Sequence, residues 1–187
     1  FALSPQRRMM ALAAEHHQAG RLREADQLCR QVLQNDPAHV DALRMLGLVA
    51  ASSGDLDDAE HLLRQALAAA PDHAPALFEL GRVLRELERP DDAIAVYRDL
   101  LALEPDNPKA HFQLASALAP AARNDEAAAA YRRCLALAPK HAGAWLGLGH
   151  LLKTVGQQDE GIAAYRRCIA LEPEFGEAYY SLANLKT

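Results

Sequence analysis

The side chains most able to do chemistry are eight histidines, three cysteines and a few closely spaced acids. His16 and His17 are adjacent, so on a helix they diverge by about 100° and do not share a metal ion. Asp55 and Asp57 resemble a pair of catalytic acids, but they stand at the predicted start of a helix, where capping is the better interpretation. Phosphate-binding loops, nucleophile elbows and HExxH helices are absent from the sequence. We therefore predict no catalytic residue, no metal site and no cofactor, and a chain that is not itself an enzyme.

The other histidines and the cysteines have structural interpretations. His39, His73 and His141 each follow a proline by two residues, which predicts positions on turn surfaces. The three cysteines are widely spaced, without a CxxC pair, and we expect small buried residues rather than a disulfide framework or a zinc site. This cysteine usage suits a reducing compartment, so we predict a cytoplasmic location.

Composition narrows the classes of fold and partner. Half of the 187 residues are hydrophobic but only 5% are aromatic, and the abundance of Ala, Leu, Glu, Arg and Gln favours helix over sheet. A net charge of −5 gives no general reason to bind nucleic acid or an anionic membrane. The sequence also lacks an apolar run of about 18 residues that would span a bilayer. Because it begins at Phe1 without a methionine, we expect a piece of a longer protein.

A period of 34 residues organises the chain. It is set by five prolines: Pro37, Pro71, Pro105, Pro139 and Pro173. Twelve residues before each proline stands a small residue: Ala25, Ala59, Ala93, Ala127 and Gly161. Eight before it stands a cysteine, a leucine or a tyrosine: Cys29, Leu63, Tyr97, Tyr131 and Tyr165. A fixed period of this length predicts stacked helical repeats, in which each repeat contacts only its neighbours.

The fifth period carries the clearest motif. Trp145-Leu146-Gly147-Leu148-Gly149, followed by Gly156, Gly161, Tyr165 and Pro173, resembles the tetratricopeptide-repeat family. The resemblance implies an all-α, right-handed superhelical solenoid of antiparallel helix pairs, helix A followed by helix B. We predict a single domain over 1–187, divided into five repeats and a lone terminal helix: 6–39, 40–73, 74–107, 108–141, 142–175 and 176–187.

Two repeats depart from the motif. In the third, Glu88 replaces the turn glycine and Pro90 enters the turn. In the fourth, Pro120 falls near the end of helix A, where proline stops or bends a helix. We predict a shortened or bent helix A in that repeat.

The family resemblance also implies a binding surface. In such solenoids the second, fifth, ninth and twelfth places of helix A line the concave wall. Carried over, the candidate groove residues are Arg44, Leu48, Phe78, Arg82, Arg85, Lys109, Phe112, Ser116, Leu146, His150, Lys153, Tyr180 and Asn184. Basic and aromatic residues predominate, which suits an extended or helical peptide with acidic and apolar side chains.

Two alternatives stay open. Phe175–Thr187 and Gly149–Thr154 resemble the repeats that precede a catalytic domain in bacterial sulfotransferases, which implies a substrate-recognition arm whose chemistry lies outside this chain. The apolar terminal helix, with Tyr179, Tyr180 and Leu182, instead indicates a structural or self-associating solenoid.

Overall fold

The structure is a computed structural model that describes residues 4–185, and those residues form eleven α-helices and no strand. The odd-numbered members are A helices and the even-numbered members are B helices. Their bounds are α1 Pro5–Gln18, α2 Leu22–Asn35, α3 Val40–Ser52, α4 Leu56–Ala69, α5 Ala74–Glu86, α6 Pro90–Leu103, α7 Pro108–Leu118, α8 Asn124–Leu137, α9 Ala142–Thr154, α10 Gln158–Leu171 and α11 Gly176–Ala183. The predicted all-α helical-repeat fold is confirmed.

Contacts divide the chain into two compact units, the N-terminal unit Phe1–Arg89 and the C-terminal unit Pro90–Thr187. In the N-terminal unit α1 packs on α2 and α3 packs on α4, and each pair contacts the next helix along the chain. The C-terminal unit repeats this order with α7 on α8 and α9 on α10. A single domain over 1–187 stays a prediction, and the last two residues of the predicted terminal helix, 186 and 187, lie outside the described residues.

Each turn from helix A to helix B contains one residue with a left-handed backbone. These residues are again 34 apart, with φ of 73° at Gly20, 85° at Gly54, 57° at Glu88, 56° at Ala122 and 80° at Gly156. Glycine adopts this conformation without steric penalty, whereas a residue with a Cβ does not. The repeat architecture therefore imposes the conformation even where the sequence supplies no glycine.

The columns of small and large residues form the core of each unit. Ala25, Ala59, Ala93 and Ala127 are fully buried, as the close crossing of paired helices requires. Tyr97 and Tyr165 are also fully buried, and the Tyr165 ring lies against the backbone of Gly149. Acids occupy the first turn of the B helices α4, α6, α8 and α10, where they complement the helix dipole.

The fourth repeat has the predicted short A helix. α7 spans 11 residues, against 13 in each of α3, α5 and α9, and it ends at Leu118, two residues before Pro120. Proline lacks the N–H that would continue the ladder of hydrogen bonds. The prediction of a shortened helix is confirmed.

The three cysteines are free and buried. Burial raises the pKa of each thiol, to about 11 for Cys29, where the charge of Asp26 adds to the effect. Thiols with such raised pKa values are poor nucleophiles, so these residues act as small core side chains.

Candidate functional site

In the N-terminal unit, the predicted groove residues lie on the A helices α3 and α5. Phe78, Arg82 and Arg85 are spaced four and three apart, which places them on one face of α5. All three are half-buried. Arg44 is half-buried on α3, and Leu48 packs against the core cluster formed by α1, α2 and α3. The face therefore offers a ring and two guanidinium groups in line along one helix.

Arg82 and Arg44 already have acidic neighbours. The Arg82 Nε donates to Glu79 Oε2 at 3.0 Å, and its Nη1 donates to Glu86 Oε1 at 3.3 Å. The Arg44 Nε lies 3.6 Å from Asp41 Oδ1, an oxygen that is also 3.5 Å from the His73 Nε2. The face is thus less positive than a list of its basic residues indicates. Spacings of three and four residues along a helix were the sequence signal for these pairs.

In the C-terminal unit, α7 presents Lys109, Phe112 and Ser116. Lys109 is exposed and Phe112 is half-buried. The Phe112 ring lies 4.6 Å, centroid to centroid, from the His141 ring. The Ser116 hydroxyl donates to the Phe112 carbonyl oxygen at 2.9 Å, so it is held on its own helix. A ligand on this face would meet the exposed ammonium group of Lys109 and the half-buried ring of Phe112.

His150 on α9 connects that helix to α11. Its Nε2 lies 3.0 Å from the Ser181 Oγ and 3.9 Å from the Glu177 Oε1, and its ring meets the Tyr165 ring edge-on at 5.4 Å. Burial lowers the pKa of His150, while Glu177 raises it and Lys153 lowers it by smaller amounts. Ser, His and Glu here do not form a catalytic triad, because the acid approaches the same nitrogen as the serine.

The remaining predicted residues divide into exposed and buried. Lys153, Asn184 and Tyr180 are exposed, Tyr180 to 72%. Leu146 is 8% exposed and belongs to a core cluster with Tyr165 and Cys168. Its assignment to a ligand-binding surface therefore does not fit its position, because its contacts are made within the unit. Its neighbour in sequence, Gly147, lies against the Tyr131 ring of α8, so α9 is covered on that side as well.

Histidines predicted on turn surfaces have a more specific role. The Nδ1 atoms of His39, His73 and His141 accept the backbone N–H of the residue three positions later, at 3.3, 3.2 and 3.1 Å. Asn107 does the same with its Oδ1 at 3.1 Å. All four cap the N-terminus of an A helix. The sequence signal was Asn107, a common capping residue, in the column of the histidines.

Other polar clusters offer no metal site within residues 4–185, since no group of three or more His, Cys, Asp or Glu side chains converges there. His16 accepts a hydrogen bond from Arg21 at its Nδ1, and the His17 Nε2 lies 3.0 Å from the Ser52 Oγ. Asp55 caps α4 by accepting the Asp58 N–H at 3.2 Å, as predicted for an acid at that place. These residues stabilise helix ends and contacts between helices.

Comparison with known families identifies the fold. Profiles described as Tetratricopeptide repeat match residues 10–74, 50–108, 78–142 and 142–185. The chain is a tetratricopeptide-repeat (TPR) protein. TPR units build protein–protein interaction modules, and this chain is such a module.

Solved TPR structures superpose on it closely. YrrB, described as a TPR protein with an unusual peptide-binding site, is 21% identical with a TM-score of 0.79, over 92% of this chain and 89% of that chain. The MamA D159K mutant is 26% identical with a TM-score of 0.73, over 89% of this chain and 97% of that chain. The MamA RS-1 ArsTM double mutant is 18% identical with a TM-score of 0.83, over 92% of this chain and 97% of that chain. No curated protein sequence matches the chain significantly.

None of the TPR helices described between residues 4 and 185 has the length and apolar character needed to cross a membrane.

Proposed function

We propose that this TPR protein binds a peptide segment of a partner protein along the faces of its A helices, and that the peptide combines acidic and apolar side chains. The observation that supports this most directly is the face of α5. There a half-buried phenyl ring, Phe78, lies in line with Arg82 and Arg85. Rings supply apolar contact area at low entropic cost, and guanidinium groups pair with carboxylates in two-pronged geometry.

The existing ion pairs do not prevent such binding. The Arg82 side chain is 36% exposed and pairs with two glutamates of its own helix, at 3.0 and 3.3 Å. Ion pairs at exposed positions contribute only about 0–1 kcal/mol, so a ligand carboxylate competes with them at small cost. The glutamates also tune selectivity, since a purely acidic peptide without apolar side chains would be repelled by them.

The C-terminal unit offers the same combination of side chains on its own A helices. Phe112 and Lys109 share α7, and the exposed Lys153 and Tyr180 lie on α9 and α11. Each unit by itself is therefore proposed to offer a peptide one or two rings and the neighbouring cations.

The test is a double charge reversal, Arg82→Glu with Arg85→Glu. Titration calorimetry with synthetic peptides that combine Asp or Glu with Leu and Phe should show at least a tenfold loss of affinity, while circular dichroism shows unchanged helicity. Arg23→Glu with Arg30→Glu on the exposed surface of α2 changes the net charge equally and should leave affinity within twofold. Equal affinities of the two double variants would overturn the assignment of this face.

Self-association is a second candidate, favoured by the exposure of Tyr179 (48%) and Tyr180 (72%) on α11. Exposed aromatic pairs of this kind are unusual on a surface that faces only water. A molar mass that rises with protein concentration in light scattering, without peptide, would support it.

The sulfotransferase-arm alternative receives no support from the comparisons, which match the repeat alone. The sulfotransferase arm stays a prediction, and a phosphate-binding loop encoded after residue 187 is the observation that would favour it. A cytoplasmic location also stays a prediction.

A further inference from the structure

Two repeat-related grooves lie in the C-terminal unit, each between successive B helices and floored by an A helix. The Trp145 groove has a volume of about 480 Å³ and is defined by Arg132 on α8, Trp145, Leu148 and Leu152 on α9, and Glu160 and Arg167 on α10. The His111 groove has a volume of about 360 Å³ and consists of the residues 34 positions earlier, Arg98, His111, Leu114, Leu118, Glu126 and Arg133. Each of these six residues of one groove thus has a counterpart in the other.

The two grooves share their scaffold contacts. An ion pair crosses the rim of each, between Arg132 and Glu160 at 3.3 Å and between Arg98 and Glu126 at 2.6 Å. The ring on the floor is fixed in the same way in both. The Trp145 Nε1 donates to the Pro139 carbonyl oxygen at 2.9 Å, and the His111 Nε2 lies 2.8 Å from the equivalent carbonyl oxygen of Pro105. These bonds hold each ring in one orientation.

The grooves differ in whether the chain supplies a carboxylate to their second arginine, which is Arg133 in the His111 groove and Arg167 in the Trp145 groove. In the His111 groove the Arg133 Nη2 donates to the Asp106 Oδ1 at 2.5 Å, so the chain itself supplies a carboxylate from the turn after α6. In the Trp145 groove the residue equivalent to Asp106 is Lys140, and the exposed Arg167 has no carboxylate within ion-pair distance among residues 4–185. The Trp145 groove therefore combines a wider apolar floor with a cation that lacks its internal acid.

The Trp145 groove lies on a different side of α9 from His150 and Lys153, the residues predicted to face a peptide. On α9, Trp145, Leu148 and Leu152 lie roughly 130° around the helix axis from the side of His150 and Lys153, at about 100° per residue. Binding at the groove does not depend on the function proposed for the A-helix faces.

We infer that the Trp145 groove is a second protein-binding site, which takes a peptide segment of a partner that places a large apolar side chain on the Trp145 floor and a neighbouring Asp or Glu on Arg167. The Asp106–Arg133 pair shows the geometry in which a carboxylate meets this arginine position. A charge-assisted pair at the rim of an apolar pocket gives both affinity and orientation. Lys140 adds positive charge in place of the missing acid, which favours an acidic partner.

The experiment uses Lys140→Asp, which returns to this groove the acid that the His111 groove has. A phage library of random decapeptides is selected on the wild-type chain and depleted on the Lys140→Asp variant. Peptides that survive should carry Asp or Glu next to a large apolar residue. Trp145 is the only tryptophan of the chain, so binding should change its fluorescence, provided that the synthesised peptides contain none.

Affinity measurements then test the contacts. Lys140→Asp, Arg167→Gln and replacement of the peptide acid by its amide should each weaken binding at least tenfold. Arg133→Gln, the matched change in the His111 groove, should stay within twofold of wild type, and so should Arg23→Asp on α2, which changes the charge as much as Lys140→Asp does. Circular dichroism should show the same helicity for every variant.

Three results would overturn the inference. One is a library that yields no peptide separating the wild type from Lys140→Asp. Another is selected peptides that keep their affinity when the acid is amidated. The third is a light-scattering mass that doubles without peptide and returns to the monomer value in Lys140→Asp, which would make a second copy of this chain the occupant.

Discussion

The fourth and fifth repeats, α7–α8 and α9–α10, build the same helix pair in the C-terminal unit from different residues. α7 has 11 residues and is followed by a five-residue turn, whereas α9 has 13 residues and a three-residue turn. Both turns nevertheless contain a left-handed residue at the equivalent place, Ala122 with φ 56° and Gly156 with φ 80°. The pairing of the helices, and not the local preference of the turn residue, decides the backbone at that position.

The same two repeats differ where helix A approaches helix B. A Cβ atom added to Gly149 would lie 2.6 Å from Cε1 and 2.8 Å from Cδ1 of the buried Tyr165. The equivalent residue of the fourth repeat is Ala115, which is fully buried with a Cβ in place. There the Tyr131 ring lies against Gly147 of the next A helix, where an added Cβ would be 2.5 Å from its hydroxyl oxygen. Glycine is thus required at both places on α9 where a tyrosine ring lies on the helix backbone.

The largest effect is expected at this close approach. Gly149→Ala should lower the free energy of unfolding by about 1–2 kcal/mol, because overpacking a closed core costs about 1–3 kcal/mol and the better helix propensity of alanine returns at most about 1 kcal/mol. Urea denaturation followed by circular dichroism measures it.

Gly143→Ala on the same helix is the control. An added Cβ there would be 3.5 Å from its nearest neighbour, an ordinary contact, so this change should be neutral or stabilise by up to about 1 kcal/mol. Equal effects of the two substitutions would mean that the Tyr165 ring moves aside freely.

A smaller effect is expected at the turns, with opposite signs in the two repeats. Ala122→Gly should stabilise the chain by about 0.5–1 kcal/mol, since relief of left-handed strain outweighs the added entropy of the unfolded chain. Gly156→Ala should destabilise it by about 1 kcal/mol, through strain alone, because nothing lies within 4 Å of an added Cβ. If both changes shift the urea midpoint in the same direction, the two turns do not share the left-handed backbone conformation that the repeat imposes.

Much of this architecture was predictable because its determinants are local and repeated. Each column, such as Pro37 and its counterparts or Ala25 and its counterparts, recurs every 34 residues, so one correct assignment serves for all repeats. Pro120 likewise acts on its own helix, and its effect on α7 followed from the missing N–H.

The candidate site was harder to predict, since its properties depend on neighbours in space. The glutamates that pair with Arg82 stand on the same helix and were detectable from their spacing. The burial of Leu146 follows from its packing with Tyr165 and Cys168 on α10 and Ala178 on α11, which the sequence of one helix does not reveal. The Trp145 groove requires three helices to be placed together, although the exchange of Asp106 for Lys140 is visible once the repeats are aligned.

The smallest expected effect concerns the ninth place of helix A, which is Ser116 in the fourth repeat and His150 in the fifth. Burial lowers the pKa of His150 below its ordinary value of 6.5, so the folded chain binds fewer protons at this site than the unfolded chain. The resulting stability is complete above about pH 6.5 and is lost as the pH falls through the lowered pKa.

His150→Ser, which gives the fifth repeat the residue of the fourth, should therefore flatten the acid side of the stability curve between pH 7.5 and pH 5. Of these two repeats, only the fifth has a histidine at the ninth place of helix A. If His150→Ser does not alter the slope of stability against pH, the contacts with Ser181 and Glu177 favour the charged ring as much as burial opposes it.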